Sequence, residues 1–294
     1  MNVILNEFNL QALSPFGADV ITDIRGKISG NATVAGNYDS PGIKGRFYLR
    51  ESGLKVPYLN TDFDIEENTE VNVFNNRLSI GIATITDTKY KTTGKFSGFA
   101  THDNFGDWAL NLRIDAPDRL LVLDTPPDEE SLYYGTAFIS GSADIVGPID
   151  ELVIEVEATT EEGTTFKIPL SDTESIGDDS FIKFLSPEEK KARLSGETYI
   201  SEEIKGLTLN FDLDINNNAE VEVVVDKVNN STLKGRGAGT LLIRINTLGK
   251  FQMWGDFQVY EGYYDFRYGR VIQKNIQVVP GGNINWEGIP ERAQ

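Results

Sequence analysis

The 294-residue chain contains no cysteine and a single histidine, His102. Without thiols there is neither a disulfide nor a thiol nucleophile, and one histidine cannot build a histidine-based metal site or a catalytic triad. No run of about 18 apolar residues occurs, so no segment reads as a membrane-spanning helix. Residues 1–16 have neither a basic opening nor an adequate apolar core, and so do not read as a signal peptide. Basic residues are the scarce sign of charge: 27 Lys and Arg face 45 Asp and Glu, a formal net charge of −18. Such a field repels phosphate backbones and anionic headgroups, so nucleic acid is excluded as a partner. The acids read as a solvated exterior.

What is abundant is glycine, 28 residues against 11 prolines, with 10% aromatics. That composition suits an all-β protein. The stretch from Gly237 to Gly288 shows the pattern best. Short runs alternate apolar and polar residues and stop at glycines 249, 255, 262, 269 and 281–282, as in four or five antiparallel strands joined by tight turns. Leu241, Ile243, Ile245, Phe257 and Val259 fall on its apolar positions.

Earlier segments repeat the alternation. Leu110, Leu112 and Ile114 alternate with Asn111, Arg113 and Asp115. Leu152, Ile154 and Val156 alternate with Glu151, Val153, Glu155 and Glu157. In the clearest strand, Leu207, Leu209, Phe211, Leu213 and Ile215 point one way and Thr208, Asn210, Asp212 and Asp214 the other. Asn216 to Asn218 turn it, and the chain is expected to run back from Ala219 to Asp226 with Val221, Val223 and Val225 on the apolar side. Hairpins are expected around Pro41-Gly42 and Asn75-Asn76. Gly30 and Gly36 recur as Gly135 and Gly141, with a looser third copy from Gly237, so the first glycines are spaced by 105 and 102 residues. These spacings suit a sheet grown from similar multi-strand modules rather than a short solenoid repeat.

Residues 171–205 interrupt the pattern. Ser186 before Pro187, with Glu189 three residues on, predicts a short helix to about Leu194, inside an otherwise polar loop. Carboxylates are plentiful, but they occupy solvent-facing positions opposite apolar faces, so no catalytic pair emerges. Asp212, Asp214 and Asn216 to Asn218 lack the glycine and terminal glutamate of an EF-hand. Catalytic, cofactor and metal residues are therefore all expected to be none.

Two motifs, GDFQVYEGYYDF at 255–266 and GGNINWEG at 281–288, make the chain resemble the C-terminal region of TamB, the translocation and assembly module subunit of the AsmA-like bridge proteins. The resemblance is sharp over the last fifty residues and extends plausibly over the whole. It implies a single elongated domain, 1–294, in which a long antiparallel sheet curls into an open apolar trough (a β-taco). It further implies a periplasmic, non-enzymatic conduit that moves phospholipids between inner and outer membranes and supports outer-membrane biogenesis, protein assembly and secretion. The partners would be phospholipid acyl chains and a TamA-like or BamA-like outer-membrane barrel. The family's inner-membrane helix is not in this sequence. The nineteen apolar residues named above, from Leu110 to Val259, are the expected groove lining. The competing expectation is a surface binding or adhesive β-sandwich, whose apolar faces pack on each other. A transmembrane barrel ranks third, since regular ~10-residue strands and aromatic girdles are not seen.

Overall fold

The computed structural model describes residues 1–17, 21–37, 40–103, 106–127, 133–169, 207–226, 228–246, 250–268 and 271–289. Alternation becomes strand almost everywhere within them. The first nine strands are β1 (Asn2–Asn9), β2 (Thr22–Asn37), β3 (Ser40–Val56), β4 (Thr61–Ile65), β5 (Glu70–Phe74), β6 (Arg77–Asp87), β7 (Thr93–Asp103), β8 (Gly106–Thr125) and β9 (Tyr134–Pro148). They are followed by β10 (Val153–Thr160), β11 (Thr165–Pro169), β12 (Thr208–Ile215), β13 (Glu220–Asp226), β14 (Ser231–Asn246), β15 (Lys250–Tyr268), β16 (Ile272–Gln277) and β17 (Asn283–Gly288). The Gly237–Gly288 stretch thus lies on four strands, β14 to β17.

Several short strands are one long strand interrupted. β4 and β5 lie in line along β3, β10 and β11 along β9, and β12 and β13 along β14. Each break is a tight turn of like chemistry. In residues 66–69 the Thr69 N–H and hydroxyl both donate to the Glu66 carbonyl. In residues 161–164 Thr164 does the same to Glu161, and in 216–219 the Ala219 N–H donates to the Asn216 carbonyl. Asn68 (φ 59°) and Gly163 (φ 91°) supply the left-handed residue that such a turn requires.

The expected open trough does not form. Among the described residues all seventeen strands belong to one sheet, and its hydrogen bonds run from β9 to β10, β12, β14, β13, β11 and back to β9. In connectivity this is a closed six-stranded β-barrel with the other strands attached. The turns at 161–164 and 216–219 fill the ring: Asn216 N–H donates to the Thr160 hydroxyl at 3.1 Å, and Glu220 N–H to the Thr164 carbonyl at 2.9 Å. The cause is pairing order. Alternation specifies which side chains share a face but not which strands are neighbours. Here β12 runs parallel to β10, and β13 parallel to β11, so the sheet is not wholly antiparallel. A parallel pair needs a crossover of a dozen residues or more, which residues 170–206 provide.

The short helix is also corrected. Among the described residues there is no α-helix, only 3-10 segments at Leu10–Gly17 and Pro57–Leu59; the predicted helix at 186–194 lies outside the described residues. Among the described residues all strands belong to one sheet, so no second sheet faces it as in a sandwich.

Candidate functional site: one apolar face

Residues directly opposite in a ladder share a face, so register can be followed across the molecule. One row runs Leu5, Gly30, Phe47, Val71, Ile80, Gly98, Leu112, Ile145, Ile154, Leu209, Ile245, from β1 to β14. Beside it runs Phe96, Ile114, Ala143, Val156, Phe211, Ile243, Met253, Gly288. Each position is apolar or glycine, and no charge interrupts either row.

The opposite face is charged. Its corresponding row contains Arg113, Asp144, Glu155, Asn210 and Arg244. Arg113 reaches Asp115 and Asp144, both at 2.9 Å, Asn210 donates to Glu155 at 2.8 Å, and Arg244 donates to Asn210 at 3.2 Å. Exposed pairs of this kind stabilise by at most about 1 kcal/mol each; their main effect is to hold that face to water.

Register places Leu110, Leu112, Ile114, Ile154, Val156, Leu209, Phe211, Leu213, Ile215, Val221, Val223, Leu241, Ile243, Ile245, Phe257 and Val259 on the apolar face. Leu152 and Leu207 directly precede β10 and β12, and the Thr208 N–H donates to the Leu152 carbonyl. Val225 sits at a register shift between Val224 and Asp226, so pairing does not assign its face. None of the nineteen is exposed: Leu152, Val156, Leu209, Leu241, Ile245 and Phe257 are buried and the others half-buried.

The sequence reading missed the N-terminal part of the same face, where Leu10, Ala32, Phe47, Leu49 and Val71 form a buried cluster. Glycines and polar residues dilute the alternation there. It also missed Leu120, Leu121, Leu123 and Phe138, each no more than 5% exposed. The run Leu120 to Leu123 carries no period because β8 shifts register between Ala116 and Leu120 and again between Leu121 and Leu123.

Glycine on this face permits close strand approach. A Cβ at Gly98 (φ 138°) would stand 2.3 Å from the Asn111 carbonyl oxygen, and one at Gly255 (φ 127°) 2.0 Å from that of Thr240. Gly255 also opens the first resemblance motif, and register pairs that motif with the second. Gly255 stands opposite Trp286, Asp256 opposite Asn285 and Phe257 opposite Ile284, with Asn285 donating to the Asp256 carboxylate at 2.7 Å.

At one end two parts of the sheet meet. Pro57–Leu59 and the start of β4 lie against the end of β8. The Tyr58 and Tyr133 hydroxyls are 2.7 Å apart, and Asn60 donates to the Asp124 carbonyl at 2.7 Å. Burial pushes the pKa of both phenols up. Nearby Asp87, fully buried, accepts from the N–H groups of Lys89, Tyr90 and Thr92 and from the Thr92 hydroxyl at 2.5–3.0 Å. Burial alone raises a carboxylate pKa, but these donors outweigh it and hold Asp87 below 3.8. On the charged face Glu222 is 5% exposed and 2.9 Å from Lys167 and 3.1 Å from Lys234. Burial again opposes ionisation, and the two ammonium groups reverse it, so the net shift is downward.

Among the described residues no three His, Asp or Glu side chains are grouped to hold a metal ion. Fold and face together define a class: a β-scaffold whose working surface is a continuous apolar face backed by a charged one. The family model for the TamB C-terminal domain matches residues 82–294, and the chain belongs to the TamB family. With that membership come a non-catalytic scaffold, a role in membrane lipid trafficking and outer-membrane biogenesis, and association with a TamA- or BamA-like outer-membrane partner. A search of curated proteins and one of solved structures each find no match.

Proposed function

We propose that the apolar face receives phospholipid acyl chains and conducts them, making this chain a periplasmic hydrophobic conduit between inner and outer membranes. The observation that carries the reading is the row from Leu5 to Ile245, uncharged across eleven strands. An acyl chain gains ~0.8 kcal/mol per buried CH₂, so sixteen carbons gain on the order of 12 kcal/mol before ordering costs. A lining of similar apolar residues gives no deep minimum in which a chain would stall. The ion-paired row from Arg113 to Arg244 keeps that stretch of the opposite face in water, and delivery would be to the TamA- or BamA-like barrel.

Phe211 tests this. It is half-buried, between Val156 and Ile243. Phe211→Asp places a charge where covering it with hydrocarbon costs several kcal/mol. Protein purified from membranes should carry phospholipid by mass spectrometry, and the variant should fold but carry little. Asp212→Arg, exposed between Glu157 and Leu242 on the other face, should behave as wild type. Wild-type protein without lipid and without uptake of added lipid would sink the reading, as would a control as damaging as the test.

A further inference from the structure

We infer that the contact of Pro57–Leu59 with the end of β8 is a latch that closes one end of the apolar face and must open for a hydrocarbon chain to pass there. This rests on the conduit reading above. In the ladder, β4 and β9 are separated by β6, β7 and β8, four interstrand steps or about 19 Å along the sheet. Yet the Tyr58 and Tyr133 hydroxyls meet at 2.7 Å, so the sheet curls at this end until its two sides touch. The curl is toward the apolar face. Tyr133 stacks on Phe166 with ring centroids 5.3 Å apart, and Phe166 stands opposite Gly135 and Val221 on that face.

Among the described residues the closure includes the tyrosine pair and the Asn60 amide on the Asp124 carbonyl. It also carries a penalty. Thr61, fully buried, and Thr125 lie at this end, and among the described residues their hydroxyl oxygens are buried with no hydrogen-bond partner. Register puts both on the apolar side, Thr61 in step with Phe63 and Thr125 opposite Gly135. Opening would return both hydroxyls to water. The desolvation of the two hydroxyls works against the closed state, as a gate requires.

Two sets of substitutions push the gate in opposite directions. Tyr58→Phe with Tyr133→Phe removes both hydroxyls and the bond between them, and should speed both uptake and release of a fluorescent sixteen-carbon fatty acid in stopped flow by roughly five- to tenfold. Thr61→Val with Thr125→Val removes the orphaned hydroxyls, favours closure, and should slow both rates. The amplitude of binding should stay near wild type in each, because the apolar rows are untouched, and circular dichroism with a urea midpoint checks that each variant is folded. Unchanged rates in both folded variants, with binding retained, overturn the latch and leave the conduit standing. The absence of fatty-acid binding by the wild-type protein overturns the conduit and the latch with it. Two folded variants that shift the rates in the same direction also overturn the latch.

Discussion

Asp87 is a buried carboxylate whose contribution can be worked out from its surroundings. It ends β6 and accepts four hydrogen bonds from the turn to β7, three of them from backbone N–H groups. Thr92, which donates twice, also accepts from the Leu121 N–H at 2.8 Å, tying the turn to β8. Asp87→Asn keeps one acceptor oxygen but turns an NH₂ toward donors. At about 1–3 kcal/mol for each buried donor left without a partner, partly recovered by water, the loss should be roughly 2–4 kcal/mol. The pH dependence follows from the depressed pKa. Above its ordinary value of 3.8 the carboxylate is ionised in folded and unfolded chains alike and its contribution is complete. As pH falls below that value the unfolded state takes up the proton first, and the contribution is lost through the folded-state pKa. Urea unfolding of wild type and variant should therefore give a constant stability gap from pH 7 to about 5, shrinking below 4. A gap that is absent at pH 7, or one that widens in acid, would refute the assignment.

Gly98→Val should prevent accumulation of folded protein, because the side chain meets the Asn111 carbonyl at 2.3 Å from a φ of 138°; soluble yield and strand content by circular dichroism read this out. Glu222→Gln removes the buried charge shared by Lys167 and Lys234 and should lower stability by roughly 3 kcal/mol in urea, with Lys234→Met on the Gln background recovering part of it.

How much of this was legible in the sequence depends on which property is asked for. Face assignment was the easy part: alternation at Leu207 to Ile215 or Leu110 to Ile114 depends only on neighbours two residues away. Neighbour assignment was not, because nothing in residues 153–160 says that the chain will return after Pro169 and lie parallel to them. The in-line breaks at 66–69, 161–164 and 216–219 are polar clusters in the sequence, and the last reads as a hairpin turn where the structure has an in-line break. A hairpin and an in-line interruption use the same residues, and only the partner strand distinguishes them. The Tyr58–Tyr133 closure, 75 residues apart, carries no local signal.

The two motifs that gave the family resemblance illustrate the same division. Read along the chain, GDF at 255–257 and NINW at 283–286 are separate short patterns. In the sheet they are one object: Gly255 admits β14 closely, Trp286 stands opposite that glycine, and Asp256 is held by Asn285 at 2.7 Å and Asn283 at 3.4 Å. A small residue paired with a large one keeps the apolar face filled where a strand must bend, and the polar residues between them pair on the outer face. Each motif then requires the other. A side chain at Gly255 would meet the Thr240 carbonyl of β14 at 2.0 Å, and Gly255 without an aromatic partner would leave a gap in the row that begins at Ala116 and passes through Ala158, Leu213 and Leu241. The residues that mark the family are thus the ones that keep its apolar face continuous near this edge of the sheet, where the last two strands lie in line along β15.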